Sequence, residues 1–272
     1  MPNMDEIKSA LERIAPPGLA EEWDNSGFQV RITDGRQIRR ILVSLEISGD
    51  VVSEAISKGA DMIVTHHPLI FGKISKVDDK QITGNYLIRL IQAGISVYSA
   101  HTSFDSALNG TNQYLAEQLG LEEIRPLAPS ALPGAEDCGM GRTGVFSEPL
   151  SFEAFMQRLV SACDRNIYRI AGKAPESVSK VSLCTGAGAE FIGAAAENGS
   201  DVYITGDVKY HDARDACETG VCVVDAGHFG TENIFSENFA AQLRAQKIEG
   251  LEVLVSESDL NPFREYALEQ KK

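Results

Sequence analysis

Short, almost uninterrupted apolar runs alternate along this chain with longer stretches whose apolar residues recur every three or four positions. The runs read as strands and the periodic stretches as helices. Near the start, Ile7, Leu11 and Ile14 mark one face of a helix that Pro16 and Pro17 stop. "EEWDNSGFQV" (21–30) reads as a loop feeding a short extended segment. A regular order follows: strand 39–47, helix 49–60, strand 61–66, helix 83–94, strand 95–101 and helix 110–121. Gly59 and Gly94 fit the ends of two of these helices. Residues 122–150 hold Pro126, Pro129, Pro133, Gly134, Gly139 and Gly141 and read as a connector. A helix over 151–163, with Ser151 as its N-cap, restarts the alternation. It continues as strand 180–188, helix 190–199, strand 201–207, helix 210–220, strand 221–227, helix 231–246 and strand 251–255. Strands that are apolar along their whole length, separated by helices, predict an α/β fold with largely parallel pairing and both sheet faces covered.

The two halves resemble each other. "KGADMIVTH" (58–66) aligns with "NGSDVYITG" (198–206), and "ISVYSAHTSFD" (95–105) with "VCVVDAGHFGTE" (221–232). A duplication is expected, with one repeat over 1–125 and a second over 126–272. Related units meeting across a pseudo-twofold bring strand ends together, where open α/β sheets bind ligands.

Composition adds limits. The 272 residues carry 39 acidic and 25 basic side chains, a formal net charge of −14, and no Lys/Arg-rich run. Such a surface repels phosphate backbones, so nucleic acid is not the expected partner. No apolar run approaches the ~18 residues a membrane span needs. The five cysteines, 138, 163, 184, 217 and 222, form no C-x-x-C pair and fit reduced thiols in a cytoplasmic protein.

All five histidines, His66, His67, His101, His211 and His228, fall at or just past the end of an apolar run, or one turn into the next helix. Asp105 follows His101 by four residues, and Glu232 follows His228 by four. Imidazole with carboxylate is a ligand set for zinc, iron, manganese or nickel. Neighbouring strand side chains point to opposite faces, so His66 and His67 suit two ions side by side better than one. A carboxylate bridges a pair of ions ~3.5–4 Å apart in two-metal hydrolytic sites, and Glu232 has the reach.

"GADMIVTHHPLIF", "VYSAHTSFD", "DVYITGDVKYHDA" and "VVDAGHFGTE" together resemble the GTP cyclohydrolase 1 type 2 homologues, the NIF-three-like dinuclear-metal proteins. The likeness runs from "WDNSGF" to the last helix, in the short form without an inserted middle domain. It implies two intertwined α/β repeats with mostly parallel mixed sheets. It also implies a homohexamer built as a trimer of dimers and two divalent ions per chain. The implied metal ligands are His66, His67, Asp105, His228 and Glu232. His67 and Asp105 are expected on one ion, His66 and His228 on the other, with Glu232 bridging. His101, Lys209, Tyr210 and His211 match motif positions near the site. Glu46 stands where members more often carry Asp.

The resemblance implies a metal-activated water attacking a nucleotide or purine-like small molecule, such as GTP at C8. His101 or His211 would carry protons, and Lys209 with Tyr210 would bind substrate. Two alternatives stay open. "GD" at 206–207 and "GH" at 227–228 are reminiscent of two-metal phosphoesterases, although "SLEI" stands where their first-strand D-x-H belongs. A ligand set is also compatible with a non-catalytic metal-binding or metal-transfer ring. The glycine-rich "CTGAGAEF" (184–191) fits a tight turn better than an anion cradle, since no G-K-[ST] follows.

Overall fold

A computed structural model describes residues 1–163, 165–264 and 266. Its strands in chain order are β1 (Gly27–Val30), β2 (Arg40–Ser44), β3 (Met62–Thr65), β4 (Ser96–Ser99), β5 (Glu122–Pro129), β6 (Gly139–Ser151), β7 (Arg169–Ala171), β8 (Ser177–Leu183), β9 (Val202–Thr205), β10 (Cys222–Asp225) and β11 (Glu252–Val255). They form a five-stranded sheet, β1-β4-β3-β2-β11, and a six-stranded sheet, β5-β6-β8-β9-β10-β7. In the first, β11, β2, β3 and β4 run parallel and β1 closes the edge antiparallel to β4. In the second, β8, β9 and β10 run parallel, with β6 and β7 antiparallel on either side. The fold is the mixed α/β class that the alternation predicts.

The apolar runs are continuous because each sheet is covered twice. On β2 and β3, Ile41, Val43, Met62 and Val64 face one core with Ile7, Leu11, Phe235 and Phe239. Leu42 and Ile63, the alternate positions, face another core with Val51, Val52, Leu87 and Leu90. The second sheet repeats this. Val202, Ile204 and Val224 pack with Leu115, Phe155 and Leu159, while Tyr203 and Val223 pack with Ile192, Ala195 and Ala216.

The two halves carry matched hydrogen bonds. The Asp61 carboxylate accepts from the backbone N–H groups of Arg39 and Arg40 at 2.7 and 3.0 Å. The Asp201 carboxylate accepts from those of Ser179 and Lys180 at 2.8 and 2.9 Å. Arg40 in one repeat and Lys180 in the other reach back to a helix-end carbonyl, of Lys58 and Asn198 respectively. Past β4 and β10, Ala100 and Ala226 donate to the carbonyls of Thr65 and Thr205, both at 2.8 Å.

Two expectations are corrected. Residues 122–150 are not a connector; they form β5 and β6, paired antiparallel. The prolines that suggested a loop, Pro126 and Pro129, lie on β5, at the edge of its sheet, where a missing N–H is tolerated. Gly139 marks close approach of the strands, since a Cβ there would lie 2.2 Å from the Ala128 carbonyl oxygen. The division of the sheets also differs from 1–125 and 126–272. The helix Thr111–Gln118 leaves the first sheet and packs in the core of the second through Leu115 and Ala116. The helix Phe235–Ala245 and β11 return to the first. Each repeat therefore lends a helix to the other's core. Fully buried Arg142, on β6, fastens the crossover by donating to Gln113 and to the carbonyls of Ala107, Gly139 and Gly141. No helix among the described residues is long and apolar enough to cross a membrane.

Candidate metal centre

The strand ends of the two sheets meet at one cluster. β3 ends at Thr65, and the next two N–H groups, of His66 and His67, both donate to the Leu45 carbonyl, at 3.1 and 3.0 Å. That shared acceptor bends the chain out of strand geometry. Strand alternation stops there, and both imidazoles face the same cluster with ring centroids 5.1 Å apart. Asp105 ends the short helix Thr102–Asp105 after β4, and His228 and Glu232 bound the short helix His228–Glu232 after β10. One helical turn places the last two side by side, with Nε2 of His228 2.9 Å from Oε2 of Glu232.

Glu232 is central. Its Oε2 also lies 2.9 Å from Nε2 of His67, and its Oε1 lies 3.5 Å from Nε2 of His66. Nε2 of His66 is in turn 3.5 Å from Oδ2 of Asp105, and the Nε2 atoms of His67 and His228 are 3.3 Å apart. The side chains therefore group as His66 with Asp105 and His67 with His228, one oxygen of Glu232 toward each pair. The expected grouping, His67 with Asp105 and His66 with His228, is the reverse and is corrected. Sequence adjacency said that two histidines differ in direction; the bend after Thr65 decides which direction each takes.

Each imidazole is held from behind. Nδ1 of His66 donates to the Ala100 carbonyl at 3.0 Å, Nδ1 of His101 to Asp24 at 2.8 Å, and Nδ1 of His228 to Asp207 at 2.8 Å. Nδ1 of His67 faces Glu46 at 3.7 Å. These acceptors select the tautomer whose Nε2 lone pair points into the cluster, the arrangement typical of metal-binding histidines. His101 joins His66 and His67 in a group whose ligand atoms lie within 4.8 Å of one another; His67, His228 and Glu232 form a second.

The interior fits a cation. His66, Asp105 and Glu232 are buried, yet Nε2 of His66 and Oδ1 of Asp105 have no hydrogen-bond partner. An unpaired polar atom in the interior is unfavourable unless something else satisfies it. Burial opposes charging His67 and His228, but Glu232 outweighs it, helped by Glu46 at one and Asp207 at the other, and holds them at about 10 and about 9. Burial likewise opposes the Glu232 carboxylate, but His66, His228 and His67 keep it well below the usual range. Asp105 is pushed up by burial, with Glu232 as a second cause. The carboxylates draw positive charge toward the imidazoles, the demand that a divalent ion meets.

Space for Glu232 comes from two glycines. A Cβ on Gly186, at φ +69°, would lie 2.1 Å from Oε1 of Glu232, and one on Gly206 would lie 2.5 Å from the His228 backbone nitrogen. The turn reading of "CTGAGAEF" stands: the N–H groups of Gly186 and Gly188 are taken by the Thr231 and Thr205 hydroxyls. Sequence reasoning missed Asp24, although "WDNSGF" had drawn notice, and it read Asp207 for other chemistry. The Asp207 carboxylate sits behind His228 rather than among the inward-facing atoms.

Three expected site residues are not brought to the cluster. Lys209 and Tyr210 line a different cavity of about 300 Å³ with Arg169, Ile170 and Val223. His211 is exposed and packs edge-on against Tyr210. Lys209 caps the helix Tyr210–Thr219 and the other two open it, and His211 is in neither of the groups of clustered ligand atoms.

Comparison with known proteins places this arrangement. The chain is 32% identical over 260 residues to the "GTP cyclohydrolase 1 type 2 homolog" of Clostridium perfringens, covering 96% of this chain and 98% of the relative. It is 33% identical over 265 residues to the protein of the same name in Streptococcus pneumoniae, covering 95% and 97%. Among solved structures, a Bacillus cereus protein related to NIF3 matches with a TM-score of 0.90 at 25% identity, over 97% of this chain and 99% of that one. Reduced HcgD from Methanocaldococcus jannaschii matches with a TM-score of 0.80 at 32% identity, over 94% and 98%. The sequence model of the Duf34/NIF3 (NGG1p interacting factor 3) family matches residues 2–262, and the chain belongs to that family.

Proposed function

We propose that the protein is a dinuclear metal-dependent hydrolase acting on a nucleotide or purine-like small molecule. One observation carries this reading: inward-facing imidazole nitrogens converge on a buried bridging carboxylate, with Nε2 of His66 and Oδ1 of Asp105 left unpaired. His66, Asp105 and Oε1 of Glu232 would hold one ion; His67, His228 and Oε2 of Glu232 would hold the other. When bound, two divalent ions supply Lewis acidity and lower the pKa of a shared water toward neutrality. His101, fixed by Asp24 and with a small part of its ring open to solvent, is the group to carry a proton to or from the reacting atoms. His67 and His228 are the more exposed ligands, so substrate enters on their side. The relatives carry the name GTP cyclohydrolase 1 type 2 homolog, and on this reading the imidazole ring of a purine would open with loss of formate. A ring-shaped homohexamer in the cytoplasm belongs to the same reading.

Metal analysis of protein purified without chelators is expected to give about two ions per chain in the wild type and few in His228→Ala. Equal and negligible metal in both would sink the site. Incubation with GTP and added iron, zinc or manganese is expected to release formate. Phosphate instead would assign the site to phosphoesterases, and neither product would favour a metal-binding ring. His101→Asn is expected to keep its metal while losing turnover.

A further inference from the structure

At the rim of the cluster, two large aromatic side chains stand in solvent. Trp23 is 61% exposed and Phe71 is 64% exposed. Their rings lie 6.1 Å apart, and each meets His101 edge-on, at 5.9 and 6.1 Å. Burying such side chains is worth a few kcal/mol each, so leaving both in water is unfavourable unless something covers them.

Their exposure is fixed by hydrogen bonds to the chain around them. Asp24, next to Trp23, has a fully buried carboxylate that accepts from Nδ1 of His101, from the Ser26 hydroxyl and from the Thr102 hydroxyl. Asn25 donates to the carbonyl of Ile70 at 2.6 Å, and the N–H of Ile70 donates to Gln29 at 3.1 Å. The two aromatic segments are thereby tied to each other and to the cluster. Beyond Phe71 the surface carries two lysines. Phe71, Lys73 and Lys76 line a cavity of about 350 Å³, and Lys76 meets Asp78 only at 3.7 Å. In a chain of net charge −14, lysines bordering this shelf favour an anion.

We propose that Trp23 and Phe71 form the shelf on which a planar aromatic ring of the substrate stacks beside His101, with Lys73 and Lys76 receiving its anionic tail. This deepens the hydrolase reading and rests on it. Stacking on an aromatic face accepts any flat heterocycle, so the shelf supplies position and the metal side supplies chemistry. The rings touch each other, so the ligand lies against their outer faces and not between them. A protein partner on the same surface would close the mouth of the cluster, whereas a flat ring leaves its metal side open.

Trp23 is the sole tryptophan of the chain, so its fluorescence reports on the shelf directly. The metal-loaded full chain is titrated with GTP, with guanosine as a ring without charge, and with tripolyphosphate as a charge without ring. GTP and guanosine are expected to quench Trp23, and tripolyphosphate to leave it unchanged. Phe71→Ala is expected to weaken GTP about 5- to 30-fold, with Phe71→Tyr restoring it. Replacing both Lys73 and Lys76 by Ala should weaken GTP and leave guanosine alone. Metal-loaded protein whose Trp23 ignores GTP and guanosine overturns the shelf and leaves the metal centre standing. Protein that takes up no added metal, yet whose Trp23 is quenched by both, overturns the metal centre and leaves the shelf. Fluorescence that follows protein concentration instead of ligand would make the surface a contact between copies and overturn the proposal.

Discussion

Thr65 and Thr205 end the middle strands of the two sheets, and beyond them the repeats part. The first continues with His66 and His67, two inward imidazoles. The second continues with Gly206 and Asp207: one residue gives up its side chain, the other turns back to hold His228. After the next strand both repeats place a histidine and, four residues on, an acid. His101 leads to Asp105, which meets one imidazole; His228 leads to Glu232, which meets three. The two halves differ at their strand ends: the first supplies His66, His67 and Asp105, the second supplies His228, room and a central carboxylate. Glycine at 206 is what lets the His228 backbone come close enough for this division.

The largest test of that asymmetry is Glu232→Gln against Asp105→Asn. Glu232 joins both halves of the cluster, so its amide is expected to lose both ions, a drop in affinity beyond about 100-fold, the upper range for residues one step further out. Asp105→Asn should release one ion and keep the other. Metal counts with circular dichroism as a folding check decide it; equal losses would remove Glu232 from its central role.

The shared scaffold makes the next prediction. Asp61 and Asp201 each take two backbone N–H bonds at the same place in their repeat. Asp61→Ala and Asp201→Ala are each expected to cost about 2–4 kcal/mol in denaturant unfolding, since hydrogen bonds to a charged group are worth about 1.5–3 kcal/mol each. A large loss in one and none in the other would argue against equivalent repeats.

How much of this could be read beforehand follows from the same physics. Strands buried on both faces announce themselves, and "DMIVT" and "DVYIT" did so in each repeat. β5 and β6 did not, because edge prolines and close-approach glycines look like loop punctuation until the neighbouring strands are known. The ligands were legible as histidines at strand ends. Their partners were not: Asp24 lies 77 positions from His101, and only the fold brings it there. Lys209, Tyr210 and His211 were expected near the site because they match motif positions, but a motif position does not fix where a side chain lies: Lys209 and Tyr210 line another cavity and His211 packs on Tyr210.

The histidine partners differ in burial as the repeats do. The Asp24 side chain is fully buried and that of Asp207 is 55% exposed. Asp24→Asn is therefore expected to lower turnover about 10- to 100-fold, and Asp207→Asn about 10-fold or less, because water can replace an exposed acceptor. Similar effects from both would mean that burial does not set the grip on the imidazole.

The smallest effect concerns a strap on the first sheet. β11 joins the first sheet, and the chain after it is pinned to the helix Gly49–Ser57 by Glu54, which accepts from the Ser256 and Ser258 hydroxyls, the Glu257 N–H and Lys58. Burial raises the Glu54 pKa, but these donors outweigh it and bring the carboxyl down to about 2 from 4.5. A depressed carboxylate stabilises the fold fully above its unfolded pKa and loses that contribution as pH falls through the folded one. Glu54→Gln is therefore expected to cost about 1–3 kcal/mol at pH 7, and the gap to the wild type should close between about pH 4.5 and pH 2. Hydrogen exchange should quicken at 256–258 while Asp201 and its neighbours in the second sheet stay protected. A gap that persists unchanged at pH 2 would mean that the carboxyl's shape, and not its charge, fastens the strap.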